Sequence, residues 1–339
     1  MDATGLRSAG GRGGSPGTGT GVIAGWGTAL PPRVVTNRHL EAFLDTSDAW
    51  ITERTGIRRR RVGGTTAELA AEAGRIAIAH AGLHPSDIDL VLLATTTPDR
   101  AVPATASEVQ DRLGVRGGAC DLNAACSGFV YGLVHAHGLL ALGLRRVLVV
   151  GAETMSRIID GTDRQTAVLF GDGAGAVVLE ARDAPPTLLG WDLGSEGSAA
   201  GLLSAEIGGM LRMDGPEVFR RAVRTTVGSA RVALERAGVR AEDLALVVPH
   251  QANLRIITAI CERLGIPLER AATVLESTGN TSAASIPMAL AAAADNGRLV
   301  DGDLVLLAGF GAGMSWASAV LRWLDPGRAQ RTGTNGAPR

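Results

Sequence analysis

The chain has 339 residues, 45% of them hydrophobic, and 33 basic against 34 acidic side chains leave a formal net charge of −1. That length and apolar content suit about two domain-sized units with buried cores, while the lack of any basic excess argues against a nucleic-acid partner, because no surplus cations exist to displace counterions from phosphates. All 33 basic residues are arginine, which excludes lysine Schiff-base chemistry.

Residues 1–20 are rich in Gly, Ser and Thr and read as a tail without the apolar stretch of a signal peptide. The folded body is expected from Gly21, and residues 326–339 read as a second tail. Within the body, AGLHPSDIDLVLLA (81–94) predicts a helix end, a turn at Asp87 and an apolar strand. ACDLNAA (119–125) reads as a strand leading into the helix CSGFVYGLVHAHGLLALG (126–143), and VLVVG (147–151) as the next strand. FGDGAGAVVL (170–179) reads as a tight glycine turn before the strand GAVVLEA (175–181), and not as a dinucleotide fingerprint, since it precedes a strand instead of following one.

The second half repeats this order. AGVRAEDLALVVPH (237–250) matches 81–94 without a gap at an offset of 156, with Asp243 in the matching turn, and VLLAG (305–309) follows VLVVG at an offset of 158. TSAASIPMALAAAADNG (281–297) is the matching long helix and SAVLRWL (318–324) the last strand. The fold expected is a duplicated, layered α/β structure, with units at 21–183 and 184–325. No apolar run reaches the ~18 residues of a membrane span. Three sparse cysteines, Cys120, Cys126 and Cys261, form neither a disulfide framework nor a zinc-ligand pattern, so a cytoplasmic protein with no metal is expected.

Three residues then stand out. Cys126 opens the first long helix, where the dipole and free N–H groups favour a thiolate, although a buried cysteine also fits a plain packing role. His250 ends the strand LALVVP, at the carboxyl edge where ligands bind in α/β sheets. Asn280 stands just before the helix that corresponds to the Cys126 helix, so the repeat brings Cys126 and Asn280 to matching helix starts. A Cys/His/Asn set serves either a hydrolase, in which Asn orients His as base, or a decarboxylating condensation, in which His and Asn both donate to a thioester oxygen. GFGAG (309–313) adds a glycine-rich turn with N–H groups able to serve an oxyanion.

DLNAACSGFVYGL, VPHQANLRII, TGNTSAASIP, LVLLAGFGAGMSWASAVLRW and SDAWITERTGIRRRR resemble the β-ketoacyl-[acyl carrier protein] synthase III family over about Gly21 to Trp323. The resemblance implies a thiolase-like fold, an internally duplicated five-layer αβαβα. It implies an acyltransferase, active as a homodimer, that condenses a short-chain acyl-CoA with malonyl-acyl carrier protein and keeps no bound cofactor. It assigns Cys126 as acylated nucleophile with His250 and Asn280 as partners, and the N–H groups of Cys126 and Ala312 as oxyanion hole. Trp50, Arg54, Arg164, Gly215, Phe219, Ala252 and Asn253 match coenzyme A contacts. Val102, Leu211 and Phe310 match the acyl pocket, with Val102 reaching it from the partner subunit, and Arg220, Arg255 and Arg263 form a basic rim for the carrier protein. Two rival expectations are a starter-unit ketosynthase or acyltransferase of a polyketide or prodiginine-type pathway, and a noncatalytic acyl-CoA-binding paralogue.

Overall fold

The computed structural model describes residues 19–325. The expected tail at 326–339 and most of that at 1–20 lie outside them, but Thr20, assigned to the tail, already begins the first strand. In chain order the main elements of the first half are β1 (Thr20–Ala29), the helices α1 (Asp48–Thr55) and α2 (Thr66–His80), β2 (Leu90–Ala94), α3 (Thr105–Leu113), β3 (Gly118–Leu122), α4 (Gly128–Ala141), β4 (Arg146–Thr154) and β5 (Asp172–Arg182). Those of the second are β6 (Leu188–Ser195), α5 (Gly215–Ala237), β7 (Leu246–Pro249), α6 (Leu254–Leu264), α7 (Ser285–Asp295), β8 (Leu304–Gly311) and β9 (Ser315–Arg322).

The two sheets share one topology. The first runs β1-β5-β4-β2-β3, with β2 parallel to both β3 and β4 and the other pairs antiparallel. The second runs β6-β9-β8-β7, with β7 parallel to β8 and the other pairs antiparallel. Where the first sheet has β3, the second has only a parallel bridge between Val247 and Ala271. The repeat read from the sequence is therefore a repeat of strand order, one edge strand short.

Side-chain alternation builds the layers. In β4, Val147 and Val149 face a central cluster with Phe129, Leu133, Ile286 and Leu290, whereas Leu148 and Val150 face an outer cluster with residues of α2 and α3. In β8, Val305 and Leu307 face the same centre, while Leu306 and Ala308 face α5 and α6. A strand that is apolar on both faces must be covered on both, so α4 and α7 fill the middle and the other long helices lie outside, giving five layers. Each fully buried aliphatic or aromatic side chain contributes ~1.5–3 kcal/mol, and Phe129, at 0% exposure in the central layer, belongs to both halves of that account.

The matching turns follow the sequence. Thr65 and Glu68 form a capping box that starts α2. The Leu83 N–H returns to the Ile78 carbonyl across Gly82 at φ 68°, and the Val239 N–H returns to the Leu234 carbonyl across Gly238 at φ 63°. Asp87 and Asp243 then sit in equivalent 3-10 turns. One reading fails: FGDGAG is no turn, because Asp172 to Arg182 is one continuous strand. A Cβ on Gly175 would lie 2.7 Å from the Met288 nitrogen, so the small residues admit the backbone of α7 against β5.

Candidate active site

The site forms where the starts of α4 and α7 meet in the middle of the molecule. Each helix is preceded by a short 3-10 turn, Ala125–Ser127 and Ser282–Ala284. Each turn contains a non-glycine residue in left-handed backbone, Ala125 and Ser282, both at φ 48°. In each an asparagine two residues earlier takes the strained N–H: Ala125 N to Asn123 Oδ1 at 3.1 Å, and Ser282 N to Asn280 Oδ1 at 2.9 Å. Such backbone costs ~1–3 kcal/mol and persists where surrounding contacts hold it, commonly at active sites. The duplication thus pairs Asn280 with Asn123, and Cys126 with Ala283; the helix starts match, but the nucleophile and the amide take different places on the same turn.

Cys126, His250 and Asn280 line one narrow apolar cavity of about 170 Å³. The Cys126 side chain is buried, and burial pushes its thiol up to about 12; the neighbouring Ser282 side chain opposes this, and the charge of Glu153 adds to it. The helix start does not prevail over desolvation, so Cys126 at rest is a thiol, contrary to the expectation of a favoured thiolate. A Cβ on Gly311 would lie 2.5 Å from the Cys126 nitrogen, so that residue lets the Gly-rich turn pass directly beside the nucleophile's backbone.

His250 follows β7, and its N–H is held by the Ala308 carbonyl at 2.8 Å. Its Nδ1 lies 2.7 Å from Ser285 Oγ, and that oxygen also accepts from the Gln251 N–H at 3.3 Å. The hydroxyl proton is then free for Nδ1, and with Ser285 donating there the ring proton stands on Nε2. Burial pulls the imidazole down to about 3, so it is neutral near neutral pH. Asn280 is fixed by Asn280 N to the Leu169 carbonyl at 2.9 Å, and by its Oδ1 on Ser282. With the oxygen occupied, its amide N–H groups are the part left for the cavity. Among the described residues no hydrogen bond joins Asn280 to His250, so Asn280 is not the orienting group of a hydrolase triad; Ser285 has that place.

The other predicted residues divide into groups. Gly215, Phe219, Ala252 and Asn253 line the same cavity as the triad, as does Phe310, which faces this side and not the neighbouring space. Leu211, Ala312 and Cys126 line a second, wider cavity of about 570 Å³. Trp50, Arg54 and Arg164 gather outside both: the guanidiniums of Arg164 and Arg54 lie 4.8 and 5.6 Å from the Trp50 ring centre. Asn253 caps α6 and donates to the Arg54 carbonyl at 3.0 Å, which ties this group to the cavity mouth. Val102 is 84% exposed and borders neither cavity within one chain. Arg220, Arg255 and Arg263 are exposed; Arg220 is paired with Glu217, and Arg255 lies 5.6 Å over Phe219.

Sequence reading missed Glu153, Ser282 and Ser285. A lone acid closing an apolar strand, VLVVGAE, was the available signal for the first. Nothing signalled the other two, because small hydroxyl residues carry no pattern of their own. Among the described residues no cluster suits a metal ion, and no helix is long and apolar enough to cross a membrane.

The doubled layered architecture, with a cysteine at the start of one central helix, puts the chain among the condensing acyltransferases of thiolase-like fold. The family model described as 3-oxoacyl-[acyl-carrier-protein] synthase III matches residues 120–197, and its C-terminal companion matches 234–323. The β-ketoacyl-[acyl-carrier-protein] synthase III of Rhizobium meliloti strain 1021 is 49% identical over 319 residues, covering 89% of this chain and 99% of that protein. The crystal structure of 3-oxoacyl-[acyl-carrier-protein] synthase III from Aquifex aeolicus VF5 superposes with a TM-score of 0.88 at 45% identity, covering 89% of this chain and all of that one. A priming β-ketosynthase of the R1128 polyketide pathway also gives a TM-score of 0.88, at 38% identity over 92% of this chain and 99% of that one. The chain belongs to the β-ketoacyl-[acyl-carrier-protein] synthase III family.

Proposed function

We propose that this protein transfers an acyl group from a short-chain acyl-CoA to Cys126 and condenses it with malonyl-acyl carrier protein. The observation that carries the reading is that His250 and Asn280 line one cavity with Cys126, each fixed by a separate partner on the atom that leaves an N–H for the cavity. Two donors, neither of them joined to the other as the orienter and base of a triad, suit stabilisation of an enolate, not hydrolysis. Cys126 attacks the thioester carbonyl, the N–H groups of Cys126 and Ala312 hold the oxyanion, and CoA leaves. His250 and Asn280 then stabilise the enolate as malonyl loses CO2, and the carbanion attacks the Cys126 thioester to give 3-oxoacyl-carrier protein. Removing one such donor costs ~3 kcal/mol of barrier.

Trp50, Arg54 and Arg164 form an adenine and phosphate site at the mouth, with Gly215, Phe219, Ala252 and Asn253 along the pantetheine path. Leu211 and, on the tunnel side, Phe310 bound the acyl group; Arg220, Arg255 and Arg263 receive the acidic carrier protein. The enzyme acts in the cytoplasm without a bound cofactor, as a homodimer in which Val102 of one subunit closes the other's acyl pocket. The exposed edge strand β3 supports that pairing.

The wide cavity behind Cys126 and the likeness to a priming ketosynthase favour a second reading, a starter-unit enzyme of a specialised pathway. Incubating the protein with acetyl, branched and longer acyl-CoAs and different malonyl-carrier proteins, with products read by mass spectrometry, tests both. Preference for short primers and a fatty-acid carrier supports the first. Acylation of Cys126 without carbon–carbon bond formation on any carrier would contradict both.

A further inference from the structure

Glu153 is the penultimate residue of β4, after an unbroken apolar run, and is 0% exposed, yet among the described residues it has no ion-pair partner. Hydroxyl and amide donors surround it instead. Thr95 Oγ1 lies at 3.2 Å, Thr96 N and Oγ1 at 3.1 and 3.0 Å, Thr97 Oγ1 at 2.6 Å and Ser282 Oγ at 2.9 Å. The first three residues follow β2 of the first half, whereas Ser282 belongs to the strained turn of the second. Ser282 lines the same wide cavity as Cys126, and its side chain pulls the Cys126 thiol down against burial. A row of polar groups therefore leads from the wall that Cys126 shares with Ser282, through Ser282 Oγ, to a Glu153 oxygen, and it crosses between the halves.

The acylation step needs such a path. The buried thiol holds its proton near neutral pH, and His250 already carries a proton on Nε2 while its Nδ1 is engaged by Ser285. Glu153 is pulled both ways, up by burial and down by the donors around it, with burial prevailing. A carboxylate raised in this manner is a better proton acceptor than one in water.

We propose that Ser282 and Glu153 form a proton shuttle for Cys126. As the S–H bond breaks, its proton passes to Ser282 Oγ, and the Ser282 hydroxyl proton passes to Glu153, so the negative charge moves from carboxylate to sulfur. The thiolate electron pair forms the bond to the acyl carbon, the CoA thiolate departs with the electrons of the broken C–S bond, and it takes its proton from solvent. When condensation expels the Cys126 thiolate, the proton returns from Glu153 through Ser282 to sulfur.

The proposal rests on the reading of Cys126 as acylated nucleophile, so its test has an arm independent of acyl transfer. Alkylation of Cys126 by iodoacetamide at pH 7 is followed by peptide mass spectrometry, which separates it from the exposed Cys120. The shuttle predicts that Glu153→Gln slows Cys126 alkylation about 10²-fold, and acyl transfer alike, while decarboxylation of malonyl-carrier protein stays within about threefold. A carboxylate acting only through its charge predicts the reverse, since removing that charge eases thiolate formation. Slowing of less than tenfold, or acceleration, overturns the proposal. Should Glu153→Gln also lose decarboxylation, Ser282→Ala decides, because its backbone N–H still holds Asn280. Slowed alkylation with decarboxylation kept supports the shuttle, and loss of both in both variants reduces Glu153 to a brace and overturns it. If the wild type accepts no acyl-CoA, the condensing reading fails while the alkylation rates still judge the shuttle.

Discussion

Two turns in this molecule have the same backbone and opposite chemistry. Residues 123–127 read NAACS and residues 280–284 read NTSAA. Both start on an asparagine that bonds the N–H two residues on, both place a non-glycine residue at φ 48°, and both launch a helix of the central layer. In the first the chemistry lies at the fourth position, Cys126. In the second it lies at the first, Asn280, and the third, Ser282. A duplicated scaffold need not duplicate its functional residues in register; it supplies two strained turns aimed at one point, and each is filled independently.

The comparison is broken most severely by removing the amide that the second turn donates and the histidine that works beside it. Asn280→Ala and His250→Ala are each expected to reduce malonyl-carrier decarboxylation by ~10²–10³-fold while leaving Cys126 acylation within about threefold, with labelled CO2 release and intact mass as the two readouts. Equal loss of both half-reactions would mean that these donors and Cys126 do not divide the labour. A pH profile sharpens the same point. Because burial lowers the His250 imidazole to about 3, the donor form is the populated form above that value, and protonation sets in only as pH falls toward it. Decarboxylation should therefore show no histidine limb near pH 6.5, and such a limb in the wild type, absent from His250→Gln, would contradict the neutral state that burial imposes on His250.

Smaller effects lie further out. Arg164 stacks 4.8 Å from Trp50 at the mouth, away from both turns. Its loss should raise the KM for acyl-CoA roughly 5–10-fold, the equivalent of one partly desolvated cation–π contact, with kcat nearly unchanged. The smallest effect separates the turns by strain alone. Ala125→Gly relieves left-handed backbone at ~1–2 kcal/mol against ~0.5–1 kcal/mol of added chain entropy, and should raise Tm by about 1–2 °C. Ser282→Gly relieves the same strain but removes a hydrogen bond to buried Glu153, so calorimetry should find no gain.

Much of this was legible in the residues. The ungapped match of 81–94 with 237–250 disclosed the duplication, and Asp87 and Asp243 marked equivalent turns, because capping chemistry is local. That Cys126, His250 and Asn280 meet at one cavity was legible, since each borders an element with a strong apolar pattern. What escaped depends on contacts between distant segments. The glycines of 171–175 look like a turn in one dimension, yet Gly173 and Gly175 serve the packing of β5 against α7. The positive φ of Ser282 has no glycine to announce it. Glu153 finds its donors 56 to 58 residues before it and 129 after it, a spacing no local pattern encodes. The thiol's upward shift is likewise a property of burial, which the helix-start argument alone could not weigh.

The central claim, that Cys126 carries acyl transfer while Asn280 serves decarboxylation, is tested most directly by intact-protein mass spectrometry in a single turnover. The protein is mixed first with acyl-CoA and then with malonyl-carrier protein. Wild type should gain one acyl mass on Cys126 and lose it as 3-oxoacyl-carrier protein forms, whereas Asn280→Ala should gain the same mass and retain it. Acylation at another residue, or prompt discharge by Asn280→Ala, would contradict the account.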